Sequence, residues 1–175
     1  MATAQPRALT RRNVLAVLAA GGGVMTLQTA VLAADAERDT YVIDALFEAP
    51  VEAVWQALTK KSLIDRYYFV PIGADITRAG DDIFYGSPAD KLIVGHVLAV
   101  DGPRLLRHTF RFTEEADTTK TVVTYTLEAV GTGTRLRIEH RGYAANSQGY
   151  ADIAGGWPII VNGMKSVLAG GTRKP

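Results

Sequence analysis

Cysteine is absent from the 175 residues, which excludes disulfides, thiolate nucleophiles and cysteine-ligated zinc. Histidine is scarce, three in all, and no two stand at close ligand spacing, so no metal is expected. An excess of charge is missing as well. Nineteen basic residues face 18 acidic ones, leaving no electrostatic footprint for nucleic acid or another polyanion. No serine elbow of the G-x-S-x-G kind occurs. The turn "GTGT" at 131–134 is followed by neither a helix nor a lysine, which argues against a phosphate loop and against ATP handling. What is present is an ordinary globular composition, 47% hydrophobic and 21% charged, long enough for one domain with an appendage.

The appendage is the first 36 residues. "MATAQPRALTRR" carries Arg7, Arg11 and Arg12 and no acid, and an apolar run diluted by Gly21, Gly22 and Gly23 follows it. A basic start, a moderate apolar run and small residues before Glu37 have the form of a secretory signal. The cleavage site read from Ala34-Asp35-Ala36 is of the A-x-A kind, with Ala33 or Ala34 as alternatives. "TRRNVL" resembles a twin-arginine export signal, although valine stands where phenylalanine is common. The expected division is a signal peptide over 1–36 and one exported domain over 37–175, periplasmic or secreted. Membrane contact is expected only if Val14 to Ala34, about 20 residues, is retained as an anchor.

Within 37–175, alternation in "TYVIDALFE" predicts a first strand with Tyr41, Ile43, Ala45 and Phe47 on one face. The carboxylates Asp44 and Glu48 then share the opposite, solvated face. "APVEAVWQALT" reads as a helix opened by Pro50, and "KKSLIDRYYF" as a second short one. "DIFYG", "KLIVGHVLAV", "RLLRHTFRF", "KTVVTYTLEAV" and "RLRIEH" read as strands. At the end, Trp157, Ile160, Val161, Met164 and Leu168 recur at spacings of 3, 1, 3 and 4, one apolar helical stripe stopped by Gly170 and Gly171. That helix is expected to begin near "GGWP", after a linker through Asn146 and Gln148, with Pro158 in its first turn or at a kink. Six or seven strands, an early helix pair and a long last helix make an α+β fold.

The blocks "EAPVEAVWQALTKKSLIDRYYF", "GHVLAVDGPRLLRHTF", "TVVTYTLEAVGTGTRLRIEHRGY" and "GGWPIIVNGMKSVLAGG" occur in an order that carries a family resemblance. They resemble the domain related to the C-terminal part of the heat-shock-protein-90 ATPase activator, within the START-related (SRPBCC) superfamily. The resemblance spans roughly Tyr41 to Gly170 and is weakest from Ile72 to Lys91. It implies a helix-grip fold, a bent antiparallel sheet around the C-terminal helix with a cavity for apolar ligands between them. It implies neither metal nor cofactor. It also leaves open an enzyme of the polyketide cyclase type and a protein-interaction module, the latter opposed by the export signal.

Candidate site residues follow from the aromatics. Trp55, Tyr67, Phe69, Tyr85, Tyr125, Tyr143 and Trp157 suffice to line a cavity with a few hydroxyl handles, and Val161 and Met164 lie on the helix stripe toward it. His140 is in phase with Leu136 and Ile138 and is expected to face inward. It is either a seam histidine bonded to its surroundings or, with Tyr67 or Tyr125 as donor, the base of an enzyme. The seam reading is the stronger, because no partner that would fix its tautomer is evident. His108 shares a face with Leu106, Phe110 and Phe112, whereas the phase of His96 is undecided. The expected ligand is a small apolar molecule, and the oligomeric state is not legible.

Overall fold

The computed structural model describes residues 40–116 and 121–171. The expected signal over 1–36 lies outside the described residues. The order is β1 (Thr40–Phe47), α1 (Val51–Thr59), α2 (Lys61–Ile64), β2 (Asp82–Ser87), β3 (Asp90–Asp101), β4 (Leu105–Phe112), β5 (Thr121–Val130), β6 (Gly133–Arg141) and α3 (Gln148–Leu168). The strands form one six-stranded sheet in the order β1-β6-β5-β4-β3-β2, with every neighbouring pair antiparallel. β2 to β6 run as a meander, and β1 closes on β6. The α+β helix-grip expectation holds, at the lower of the two strand counts.

Period-two alternation explains the two faces of this sheet. On β5, Val123, Tyr125 and Leu127 are buried, and on β6 Leu136, Ile138 and His140 are. Polar residues hold the outer face, where Arg137 pairs with Asp44 at 2.8 Å and Arg135 with Glu128 at 3.0 Å. Asp44 is therefore a solvated strand residue, as its phase predicts. Exposed pairs of this kind add little stability, about 0–1 kcal/mol each.

The last helix differs from expectation at its start. It begins at Gln148, and the Ser147 side chain caps it by accepting from the Tyr150 amide at 3.1 Å. The glycines at 149, 155 and 156 weaken the local helical signal, but tertiary packing overrides them. Tyr143 lies so close over Gly149 that a Cβ there would fall 2.4 Å from its ring. Pro158 consequently sits mid-helix rather than in a first turn. Having no N–H, it leaves the carbonyl of Ala154 without its helical donor, and the Tyr41 hydroxyl of β1 donates to that oxygen at 3.4 Å. The early helix pair is also shorter than expected: α2 stops at Ile64, so Tyr67, Tyr68 and Phe69 lie on the turns that follow.

The buried stripe of α3, from Ile153 through Trp157, Ile160, Val161 and Met164 to Val167, packs with the inner sheet face in a single core. Helix and chain also come close at Gly163, where an added Cβ would lie 3.1 Å from the Cβ of Tyr67. The helix ends at Gly170, whose φ of +84° suits the left-handed stop. No helix among the described residues is long and apolar enough to cross a membrane.

Candidate functional site

Strand register brings the polar groups of the interior together. His108 on β4 stands opposite Val123 on β5, and Val123 stands opposite His140 on β6. The two histidines therefore occupy one row of the inner face, two strand spacings or about 10 Å apart. Both are almost fully buried, at 2% and 1% exposure. Tyr125 lies in the next inward row, and its ring is 5.7 Å from that of His108.

His140 is committed on both nitrogens. The indole N–H of Trp157 donates to its Nδ1 at 3.2 Å, so the ring proton must sit on Nε2, which faces Thr121 Oγ1 at 3.0 Å. The Thr121 hydroxyl in turn donates to the Phe110 carbonyl. Helix α3 is thus tied through a neutral imidazole to β5 and β4. Burial, with His108 adding a smaller effect, lowers the pKa of His140 to about 3. With its lone pair occupied and its protonated form disfavoured, His140 is a seam residue and is poorly suited to act as a base.

His108 is arranged the other way round. Its Nδ1 lies 2.8 Å from the carbonyl oxygen of Thr109, which can only accept, so Nδ1 carries the proton. Nε2 then presents a lone pair to the Tyr125 hydroxyl at 3.4 Å. Burial lowers its pKa to about 4, so this ring too is neutral near pH 7. His108, whose Nε2 meets only a hydroxyl at a long 3.4 Å, is a residue outside the expected site set. Its in-phase position beside Leu106 and Phe110 was the sequence signal for it; the pairing with Tyr125 was not legible.

Five tyrosines are buried in the interior, and one of them, Tyr143, donates its hydroxyl to Glu115 at 2.8 Å. Tyr67 uses its hydroxyl on the carbonyl of Ala57 at 2.9 Å. Tyr68 and Tyr85 stack with centroids 4.3 Å apart and planes 25° from parallel, and are 8% and 4% exposed. Neither of their hydroxyls has a protein partner among the described residues. Because no fully enclosed side-chain oxygen or nitrogen there lacks a partner, these two hydroxyls open onto accessible space. Burial first, and neighbouring phenols second, raise the pKa values of Tyr67, Tyr68 and Tyr125, while burial alone raises that of Tyr85. All four remain phenols and act as donors rather than charges.

Of the expected residues, Tyr67, Tyr85, Tyr125, Trp157, Val161 and Met164 join this one core, and His140 is buried beside them. Trp157 meets the ring edges of both Tyr125 and His140, at 5.9 and 6.0 Å. Phe69 stands apart, and Trp55 packs only against the margin of the core. Trp55 is half-buried with its indole against the β3–β4 turn at Gly102. Phe69 is 51% exposed and lies over Gly156 of α3. Tyr68, the neighbour of Phe69, is the one turned inward; irregular chain offers no periodicity from which to tell the two apart. His96 faces outward and pairs with Asp82 at 2.9 Å, beside an open cleft of about 450 Å³ over β2, β3 and β4 that holds none of the expected residues. Among the described residues, no group of three or more His, Asp or Glu is placed to hold a metal.

A six-stranded antiparallel sheet that presents tyrosines and histidines to a long C-terminal helix defines a helix-grip α+β protein. The chain belongs to the family described as activator of Hsp90 ATPase homolog 1-like proteins, whose sequence pattern matches residues 48–169. Among solved structures, protein MLL2253 from Mesorhizobium loti is similar at 26% identity and TM-score 0.66, over 74% of this chain and 96% of that one. CalU16 from Micromonospora echinospora is similar at 22% identity and TM-score 0.62, over 74% and 76%. An HSP90 activator from Plasmodium falciparum, PFC0360w, is similar at 19% and TM-score 0.66, over 75% and 96%. The last two likenesses concern the fold alone. Comparison with curated proteins gave no match.

Proposed function

We propose that this protein is exported and holds a small, largely apolar molecule between its sheet and α3. The observation that carries the binding reading is the Tyr68–Tyr85 stack, two nearly buried phenols whose hydroxyls have no protein partner among the described residues. A hydroxyl that a nearly buried ring leaves open to accessible space is completed by water or by a ligand standing there. Apolar walls supplied by Ile160, Val161 and Met164, with a few convergent polar groups, have the chemistry of a small-molecule site. Export rests on the paired arginines and apolar run of the first 36 residues.

Native mass spectrometry of the protein, recovered under mild conditions from cells that export it, tests the binding reading. Retention of a small molecule that leaves on denaturation supports it. A bare mass in every preparation, with no shift when apolar compounds are added, would sink it. Cell fractionation tests export: the chain should appear in the envelope or medium, and the double change Arg11→Lys and Arg12→Lys should hold it in the cytoplasm. An unchanged distribution would count against the twin-arginine route.

A further inference from the structure

The donors and acceptors of the interior constrain what it would accept. Among the described residues, the buried polar side chains outside the aromatic set are three threonines and two histidines, with no lysine or arginine. His140 is neutral because the Trp157 N–H occupies its Nδ1, and His108, fully buried with one proton on Nδ1, has no anionic partner to hold a second. Nothing inside therefore supplies a positive charge to meet an anion. Tyr68 and Tyr85 each retain an O–H to donate. Tyr125 differs, because its proton is directed at His108 Nε2, so its oxygen presents lone pairs to its surroundings.

Resting on the binding reading above, we infer that the molecule held here is uncharged and offers a carbonyl-type oxygen to the hydroxyls of Tyr68 and Tyr85. A carboxylate of the same shape is discriminated against. It would surrender its hydration with no cation in exchange, and it would face the lone pairs of Tyr125. A neutral carbonyl loses far less on leaving water and recovers it through either phenol. A plain hydrocarbon of the same shape would leave both phenols unpaired. The order of preference is therefore ketone, then hydrocarbon, then carboxylate.

A matched trio of probes tests this order: 2-acetylnaphthalene, 2-ethylnaphthalene and 2-naphthoate, titrated into the full chain by equilibrium dialysis at pH 7.5. The ketone should bind at least about tenfold more tightly than the carboxylate, a difference of about 1.4 kcal/mol. Tyr68→Phe and Tyr85→Phe keep the rings and remove only the donors. At least one should weaken the ketone about fivefold or more without weakening 2-ethylnaphthalene. Naphthoate binding as tightly as the ketone overturns the inference but leaves the binding reading standing. So does a ketone affinity that neither phenylalanine variant alters. If none of the three probes binds up to its solubility limit, the binding reading itself fails and takes this inference with it.

Discussion

His140 sits where one proton too many would be costly. Its Nδ1 accepts from Trp157 and its Nε2 donates to Thr121, an arrangement that needs the neutral ring. His108 is held neutral in the same row, and burial takes the two pKa values to about 3 and about 4. The unfolded chain, near 6.5, binds these protons first as pH falls. Stability from both histidines is therefore full above about pH 6.5 and is lost progressively as pH drops toward 4 and then 3. At pH 5 the loss is on the order of 2 kcal/mol for each ring. Urea midpoints measured from pH 8 to pH 4.5 should fall below 6.5, and the variant His108→Gln should show a shallower decline. A second residue-scale prediction concerns Trp157→Phe, which keeps an aromatic ring and deletes the N–H. With the His140 acceptor left unpaired, the variant should lose about 1–3 kcal/mol in chemical denaturation.

At the scale of elements, α3 is joined to the sheet where its own hydrogen bonding is interrupted. Pro158 frees the Ala154 carbonyl, and Tyr41 donates to it from β1. Tyr41→Phe should cost about 0.5–1.5 kcal/mol in the native background. In a Pro158→Ala background the restored helical N–H takes that oxygen, so Tyr41→Phe should cost close to nothing. A double-mutant cycle reads this coupling, and strict additivity would show that the Tyr41 bond does not depend on Pro158. The close approach at Gly163 gives a further test. Gly163→Val presses branched carbons toward the Cβ and carbonyl of Tyr67 and should destabilise by about 1–3 kcal/mol, read as a lowered midpoint.

At the scale of the whole molecule, sheet, helices and the Tyr67–Tyr68 turn share one core, so unfolding should be a single transition. In a Trp55→Phe variant the remaining Trp157 reports on the seam, and its fluorescence should coincide with far-ultraviolet circular dichroism along a denaturant series; a fluorescence midpoint at lower denaturant would show that α3 leaves the sheet first. Much of this architecture was legible because period-two and helical patterns are local. The inward phases of Tyr125, His108 and His140, the Trp157–Leu168 stripe and the outward Asp44 all follow from one strand or one helix. Local pattern misled where local and tertiary preferences diverge, as at the glycine-rich first turns of α3 and at Phe69, which tertiary packing turns outward while Tyr68 turns in. The sequence by itself determined the α+β class and the inward faces of most of the strands. Only the tertiary structure decided that His108 and His140 share a row, that Trp157 occupies the lone pair of one and Tyr125 faces that of the other, and that Tyr68 stacks on Tyr85. Those outcomes depend on strand register and on where a distant helix is laid down. A residue's own neighbours in the chain carry its periodicity but not the identity of the group that will stand opposite it.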